Sequence, residues 1–115
     1  TFVATFIGSP PMNLVPRDGA LVGFRPEHLL PSATITQPDR VTMRLAVDRV
    51  EYLSGDRHLY GTVTGIGEPT RVVARLPATV DAPITSGEDH EFAVVADRLR
   101  FFDAGSGRQI RPVRL

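Results

Sequence analysis

The sequence predicts an all-β domain, an antiparallel barrel or sandwich of about seven short strands, on three grounds. Apolar residues alternate at period two in several separate runs. Turn signals recur at roughly eight-to-twelve-residue spacing. With ten Gly and ten Pro among 115 residues, over a sixth of the chain is punctuation. A chain of this length forms one core and buries roughly two-thirds of the surface it exposes when unfolded. Its 42% apolar and 23% charged content is ordinary for a soluble globular domain.

In chain order, residues 2–8 (Phe-Val-Ala-Thr-Phe-Ile-Gly) suit a strand by residue type and a helix by the i,i+4 pairs Phe2/Phe6 and Val3/Ile7. Gly8-Ser-Pro-Pro-Met-Asn13 breaks any regular element, because consecutive prolines lack N–H donors and push the preceding residues out of the helical region. Ala20–Phe24 is a short strand stopped by Arg25-Pro26, and Pro31 through Pro38 reads as a loop. The clearest strand is Val41–Leu53. Val41, Met43, Leu45 and Val47 share one face, and the step to Val50 and Tyr52 is odd, so one extra residue near Asp48-Arg49 predicts a bulge that bends the strand. Leu53-Ser-Gly-Asp-Arg57 is a hairpin loop into a strand at His58–Thr64. Gly65–Pro69 is a second turn before Arg71–Leu76, where Val72, Ala74 and Leu76 face one way. Leu76-Pro77 closes that strand and 78–87 connects to His90–Ala96. Arg98–Phe102, the Gly-rich turn Asp103–Gly107 and an imperfect alternation over Gln109–Leu115 complete the chain.

Composition excludes several chemistries. Thirteen basic and thirteen acidic residues cancel, so no global field attracts nucleic acid. The absence of Cys removes disulfides, thiolate metal sites and thiol nucleophiles. All thirteen basic residues are Arg, so there is no Lys for a Walker-type ATP site, a Schiff base or a lysine general base. No apolar run approaches the roughly 20 residues that span a bilayer, which predicts a soluble chain, and the Thr1-Phe-Val start shows no targeting peptide.

Local motifs for catalysis are missing as well. His28, His58 and His90 are isolated from one another, and the carboxylates beside His28 and His90 point to opposite strand faces from their neighbours. No Ser sits in a G-x-S-x-G context, and Glu88, Asp89 and Glu91 fall in a solvated turn, where nothing raises a carboxylate pKa. Gly65-x-Gly67 and Gly105-x-Gly107 precede no helical pattern and read as hairpin turns. Phe24, Tyr52, Tyr60, Phe92, Phe101 and Phe102 are expected to pack the core and not to stack bases. Asp81, Glu88, Asp89, Glu91 and Asp97 form an Arg-free stretch, and residues 98–115 hold five Arg. These two segments pair with each other, or Arg98, Arg100, Arg108, Arg111 and Arg114 form an anion or partner surface.

Four segments, in order, resemble one family. Phe2–Asn13, Gly23-Phe-Arg-Pro-Glu-His-Leu29, Val50-Glu-Tyr-Leu-Ser-Gly-Asp56 and Phe101–Gly107 are similar to the C-terminal regulatory region of ATPase subunits from ABC importers of the maltose and sn-glycerol-3-phosphate type. That resemblance implies an OB-like (TOBE) barrel over residues 14–115, preceded at 1–13 by the tail of a helix leaving an absent nucleotide-binding domain. It implies a non-catalytic regulatory and dimerisation role. ATP and Mg belong to the absent domain, and this chain holds no cofactor and no metal. The implied partners are that domain of the same polypeptide, a second ATPase subunit, transmembrane permease subunits and a regulatory protein, at the cytoplasmic face of the bacterial inner membrane. One departure stands out: the family places further strands between the Pro-Met-Asn and Arg-Pro-Glu-His motifs, and only residues 14–22 separate them here. A hairpin's worth of the usual barrel is either deleted from the chain or not included in this sequence. No Ser-x-Arg-Asn-like motif of the molybdate-binding relatives occurs, and Asn13 is the single Asn, so no direct oxyanion site is expected from motifs.

Arg25, Glu27 and His28, with Asp103 and Arg108 of the Gly-rich turn, are the candidate dimer or partner surface, because rigid polar loops suit docking. Alternatively Arg25 and Glu27 pair within the domain. The rival function is an OB-type module that binds a small ligand or oligosaccharide.

Overall fold

The computed structural model describes residues 12–112, which fold as eight strands and three single-turn 3-10 segments, with no helix of seven or more residues. The class is all-β, as the alternation predicts. The strands are β1 (Asn13–Arg17), β2 (Ala20–Phe24), β3 (Leu30–Pro31), β4 (Arg40–Leu53), β5 (Asp56–Thr64), β6 (Thr70–Leu76), β7 (Asp89–Val95) and β8 (Arg100–Asp103). The ambiguous residues 2–8 and the end of the Gln109–Leu115 alternation lie outside the described residues. Of the latter run, one bridge is present, Phe102 with Gln109.

Two antiparallel sheets form, β1-β2-β8 and β3-β7-β4-β5-β6. The barrel expected of an OB-like domain does not close among the described residues. The sheets leave two seams without a strand ladder, β8 against β3 and β1 against β6, and at the second a side chain takes the place of the backbone ladder. Asn13 Nδ2 donates to the Val73 carbonyl at 2.8 Å, and Val73 N–H donates to Asn13 Oδ1 at 3.0 Å. The amide thereby satisfies one residue of an otherwise unpaired edge. Nearby, Glu68 N–H donates to the Pro16 carbonyl at 3.0 Å and the Arg17 guanidinium to the Ile66 carbonyl at 3.0 Å.

The bulge in β4 falls where the broken alternation puts it. Register with β5 runs from Arg44 opposite Thr64 to Val47 opposite Gly61, then resumes at Arg49 opposite Tyr60, leaving Asp48 unpaired. Ser86 donates to the freed Asp48 carbonyl at 3.0 Å, and Val47 exchanges backbone bonds with Gly87 and Glu88. Before the bulge, Met43, Leu45 and Val47 are buried with Thr42, Arg44 and Ala46 outward. Beyond it the β4–β5 hairpin passes the reach of β7, which pairs with β4 over Arg40–Ala46 only. Tyr52 is therefore 75% exposed, which corrects the expectation that it packs the core. The other five rings of that set fare better: Phe24, Phe92, Phe101 and Phe102 are buried, and Tyr60 is half-buried.

β1, Asn13–Arg17, is a strand that the alternation does not predict. It pairs with β2 across the two-residue turn Asp18-Gly19, where φ is +48° and +80°, the left-handed pair that an Asp-Gly hairpin supplies. The single core lies between the sheets, built from residues including Val15, Val22, Phe24, Leu29, Leu45, Leu59, Val63, Ala74, Leu76, Phe92 and Val94.

Candidate functional site

Arg25 leaves β2 in extended conformation (φ −81°, ψ 152°), and Pro26 then opens a 3-10 turn over Pro26–His28. Proline fits there because its fixed φ suits a first helical position and its missing N–H is not needed. His28 N–H donates to the Arg25 carbonyl at 3.0 Å and Leu29 N–H to that of Pro26 at 3.4 Å. Leu29 is fully buried and pins the turn to the core, which leaves Arg25, Glu27 and His28 half-buried around it.

The side chains of this turn divide. Glu27 reaches β6, with Oε1 3.7 Å from an Arg75 nitrogen whose guanidinium also lies 3.9 Å from Asp56. Arg25 and His28 instead line a cavity of about 170 Å³ together with Met12, Arg98 and Arg100. Strand pairing explains the meeting: β8 runs antiparallel to β2 with Gly23 opposite Arg100, so the start of β8 lies beside the end of β2. Arg98 comes from the 3-10 turn Ala96–Arg98 that feeds β8. Arg100 Nη1 donates to the carbonyls of Asp97 at 2.9 Å and Leu99 at 2.8 Å, which fixes its guanidinium at the rim. Arg98 Nε lies 4.0 Å from Asp97 Oδ1, both side chains being exposed.

His28 Nδ1 is buried with no hydrogen-bond partner in the structure. Burial is the main cause that lowers the imidazole pKa below its ordinary value. Glu27 opposes that shift, and the charges of Arg98, Arg25 and Arg100 reinforce it. The ring is accordingly neutral near pH 7 and sits in a locally positive field.

Asp103 and Arg108 lie elsewhere. Ala20 is opposite Asp103 in the β2–β8 register, so the Asp103–Arg108 turn is at the other end of the small sheet, about five residues or roughly 17 Å from Arg25 along the strand. The turn is satisfied internally. Asp103 Oδ2 accepts from Ser106 N–H at 2.8 Å, Asp103 N–H donates to the Arg108 carbonyl at 2.8 Å, and Gly107 N–H donates to the Asp103 carbonyl at 2.7 Å. The Ser106 backbone bond, then its hydroxyl, holds the Asp103 carboxyl below the usual range. Of the two candidate loops, one therefore opens onto a cavity and the other closes on itself, with the Arg108 side chain exposed.

Sequence grouping misplaced the Arg-rich segment. Arg98 and Arg100 do not sit with Arg108; they join Arg25 and His28, some seventy residues away. No local signal announces that, since only the β2–β8 register produces it. Among the described residues, the side chains of the acidic stretch and the Arg-rich tail pair at Asp97–Arg98 alone. Other carboxylates pair within the large sheet: Asp48 with Arg71 in a two-pronged contact, and Glu51 with Arg49 at 3.2 Å. Among the described residues no group of three or more His, Cys, Asp or Glu could hold a metal, and no helix is long and apolar enough to cross a membrane.

No family model matches the chain. Curated proteins do. It is 32% identical to the sn-glycerol-3-phosphate import ATP-binding protein UgpC of Rhodopseudomonas palustris (strain HaA2), across 96% of this chain and 37% of that protein. Identity is 34% to the UgpC of Cupriavidus pinatubonensis (96% and 38%) and 35% to that of Paracoccus denitrificans (95% and 35%). The chain thus spans little more than a third of the length of the relatives it matches. The alignment with the Rhodopseudomonas protein runs over 137 residues, whereas 96% of 115 is about 110, so that relative carries about 27 aligned residues without a counterpart here. With the chain covered almost end to end by a third of each relative, it belongs to the family of UgpC/MalK-type ABC importer ATPases, as a counterpart of their C-terminal part.

Proposed function

We propose that this chain is the regulatory and dimerisation domain of an importer's ATP-binding subunit, non-catalytic itself, with sn-glycerol-3-phosphate or a carbohydrate as the transported solute. The observation that carries this reading is the asymmetry of the match: 96% of the chain against 37% of import ATP-binding proteins. Residues 1–13 form the tail from a nucleotide-binding domain and 14–115 the OB-like domain. ATP and Mg bind on that other domain, and this chain holds neither. Its partners are that domain, a second copy of the subunit, permease subunits and a regulatory protein, and nucleic acid is not among them. The assembly works peripherally at the cytoplasmic face of the inner membrane.

The candidate contacts suit a two-fold axis in one particular way. Arg25, Glu27 and His28 lie at one end of the small sheet, Asp103 and Arg108 at the other. An isologous interface pairs unlike patches reciprocally, so the Arg25–His28 turn of one copy meets the Asp103–Arg108 turn of the next, and the reverse. Light scattering across a concentration series, at low and high salt, tests the role. A concentration-dependent dimer weakened by salt and by Arg108→Glu supports it; a strict monomer at high concentration overturns the dimerisation role for this chain.

The rival small-ligand reading gains two observations, an open groove of about 360 Å³ lined by Tyr52, Gly55, Arg57, Ala78, Val80 and Asp81, and the cavity beside His28. At about 170 Å³ the cavity is too small for an oligosaccharide, since ligand pockets for such molecules start near roughly 300 Å³.

A further inference from the structure

We infer that the cavity between the Arg25–His28 turn and the Arg98–Arg100 segment binds a tetrahedral dianion, either free orthophosphate or the terminal group of a small phosphate monoester. The inference is independent of dimerisation. It follows from what the β2–β8 register brings together and does not use the Asp103–Arg108 turn.

Charge comes first. Three guanidiniums and one imidazole line a space of about 170 Å³, and among the described residues no carboxylate lines it with them. Of the neighbouring acids, Glu27 reaches Arg75 at 3.7 Å, and Asp97 lies 4.0 Å from Arg98 itself with both side chains exposed, a contact weakened by solvent. Arginine's planar fork matches phosphate oxygens in pairs, which a compact ammonium does not. Arg100 is held by two carbonyl bonds through Nη1 alone, so the Nε and Nη2 donors of a fixed guanidinium remain for a ligand. Less side-chain freedom is then lost on binding.

Size comes second. One water occupies about 30 Å³ of liquid, so the cavity holds about six waters, or one phosphate group with a partial hydration shell. Inorganic anions and headgroups fit; nucleotides and sugars of several rings do not.

His28 supplies the reporter. Its ring is held neutral by burial and by the Arg98, Arg25 and Arg100 charges against Glu27 alone. A dianion in the cavity cancels that field and raises the His28 pKa. By linkage, protonation of His28 tightens the anion reciprocally.

The test uses this chain with isotope-labelled histidine and backbone, titrated by NMR with orthophosphate, with glycerol phosphate, and with chloride at matched ionic strength. Expected are saturable shifts at the amides of residues 25–28 and 98–100, and an upward move of the His28 pKa that chloride does not reproduce. Arg98→Gln and Arg100→Gln each weaken binding about tenfold, as the loss of a charge-assisted bond does. Arg108→Gln, at the other end of the sheet, leaves it unchanged. Because Arg100 also caps two carbonyls, the Arg98 variant, whose side chain makes no backbone bond in the structure, separates binding from folding. Saturation by orthophosphate places the free anion in the site; saturation by the ester alone places an esterified headgroup there, and either supports the inference. Linear, unsaturated shifts, or equal responses to chloride and phosphate, overturn it.

Discussion

The Asn13 amide stands in for a strand. Its carboxamide presents one donor and one acceptor with the spacing of a peptide group, and Val73 uses both. Asn13→Ala leaves the Val73 N–H and C=O without partners at a largely buried seam. It should cost about 1–3 kcal/mol, read as a lower urea midpoint at unchanged slope. Gly61 is constrained in another way: a Cβ there would run into the Ala46 carbonyl beside the bulge. Gly61→Ala should therefore destabilise by about 1–3 kcal/mol through forced backbone displacement. His28 carries the pH dependence of this scale. Its folded pKa lies below the ordinary imidazole value of 6.5 because the ring is buried, so the unfolded chain binds more protons in that window. Stability is full above pH 6.5 and is lost as pH falls through the folded pKa. A series of denaturation midpoints between pH 7 and 5 should fall for the parent and flatten for His28→Gln. Of these residues the sequence singled out His28 and Asn13 by type, and neither role was legible, because the partners are distant: Val73 is sixty positions from Asn13, and Arg98 seventy from His28.

At the scale of elements, the β4–β5 hairpin was the most readable part of the chain. Its period-two core face, the odd step at Asp48 and the Ser-Gly turn each carry a local cause, and each appears in the structure. The turn residues Ser54 and Gly55 have φ of +49° and +86°, the left-handed pair that matches strand twist. Gly55→Ala meets no atom within 4 Å, so any loss is conformational: about 1 kcal/mol less stable. Ser54→Asn should move the other way, by a few tenths of a kcal/mol, since Asn tolerates that region better. Thermal melts of the two variants should shift in opposite directions. β1 and β8 were harder to read. β1 carries Pro16 in a five-residue strand, which masks its alternation, although Asp18-Gly19 was the available hairpin signal. β8 begins only after a 3-10 turn that a strand reading of Arg98–Phe102 does not anticipate.

Over the whole molecule, two sheets enclose one core, and the polar surface divides by location. The exposed Tyr52 and Leu53 sit at the far end of the hairpin, past the reach of β7, and contribute little to the fold. Tyr52→Ser should change stability by less than about 0.5 kcal/mol. If dimer mass is then also unchanged in light scattering, the association surface lies at the small sheet and not at this tip.

The amino-acid sequence by itself determined the all-β class, the positions of most strands, the bulge and the family resemblance, because each depends on neighbours along the chain: period-two burial, turn residues with positive φ, and contiguous motifs. Tertiary structure alone decided that the barrel does not close among the described residues, that Asp103 and Arg108 stand apart from Arg25, and that Arg25, His28, Arg98 and Arg100 share one cavity. These are consequences of strand register. A register joins residues from opposite ends of a chain through backbone hydrogen bonds that are the same for every side chain, so no local pattern encodes which charges it will bring together.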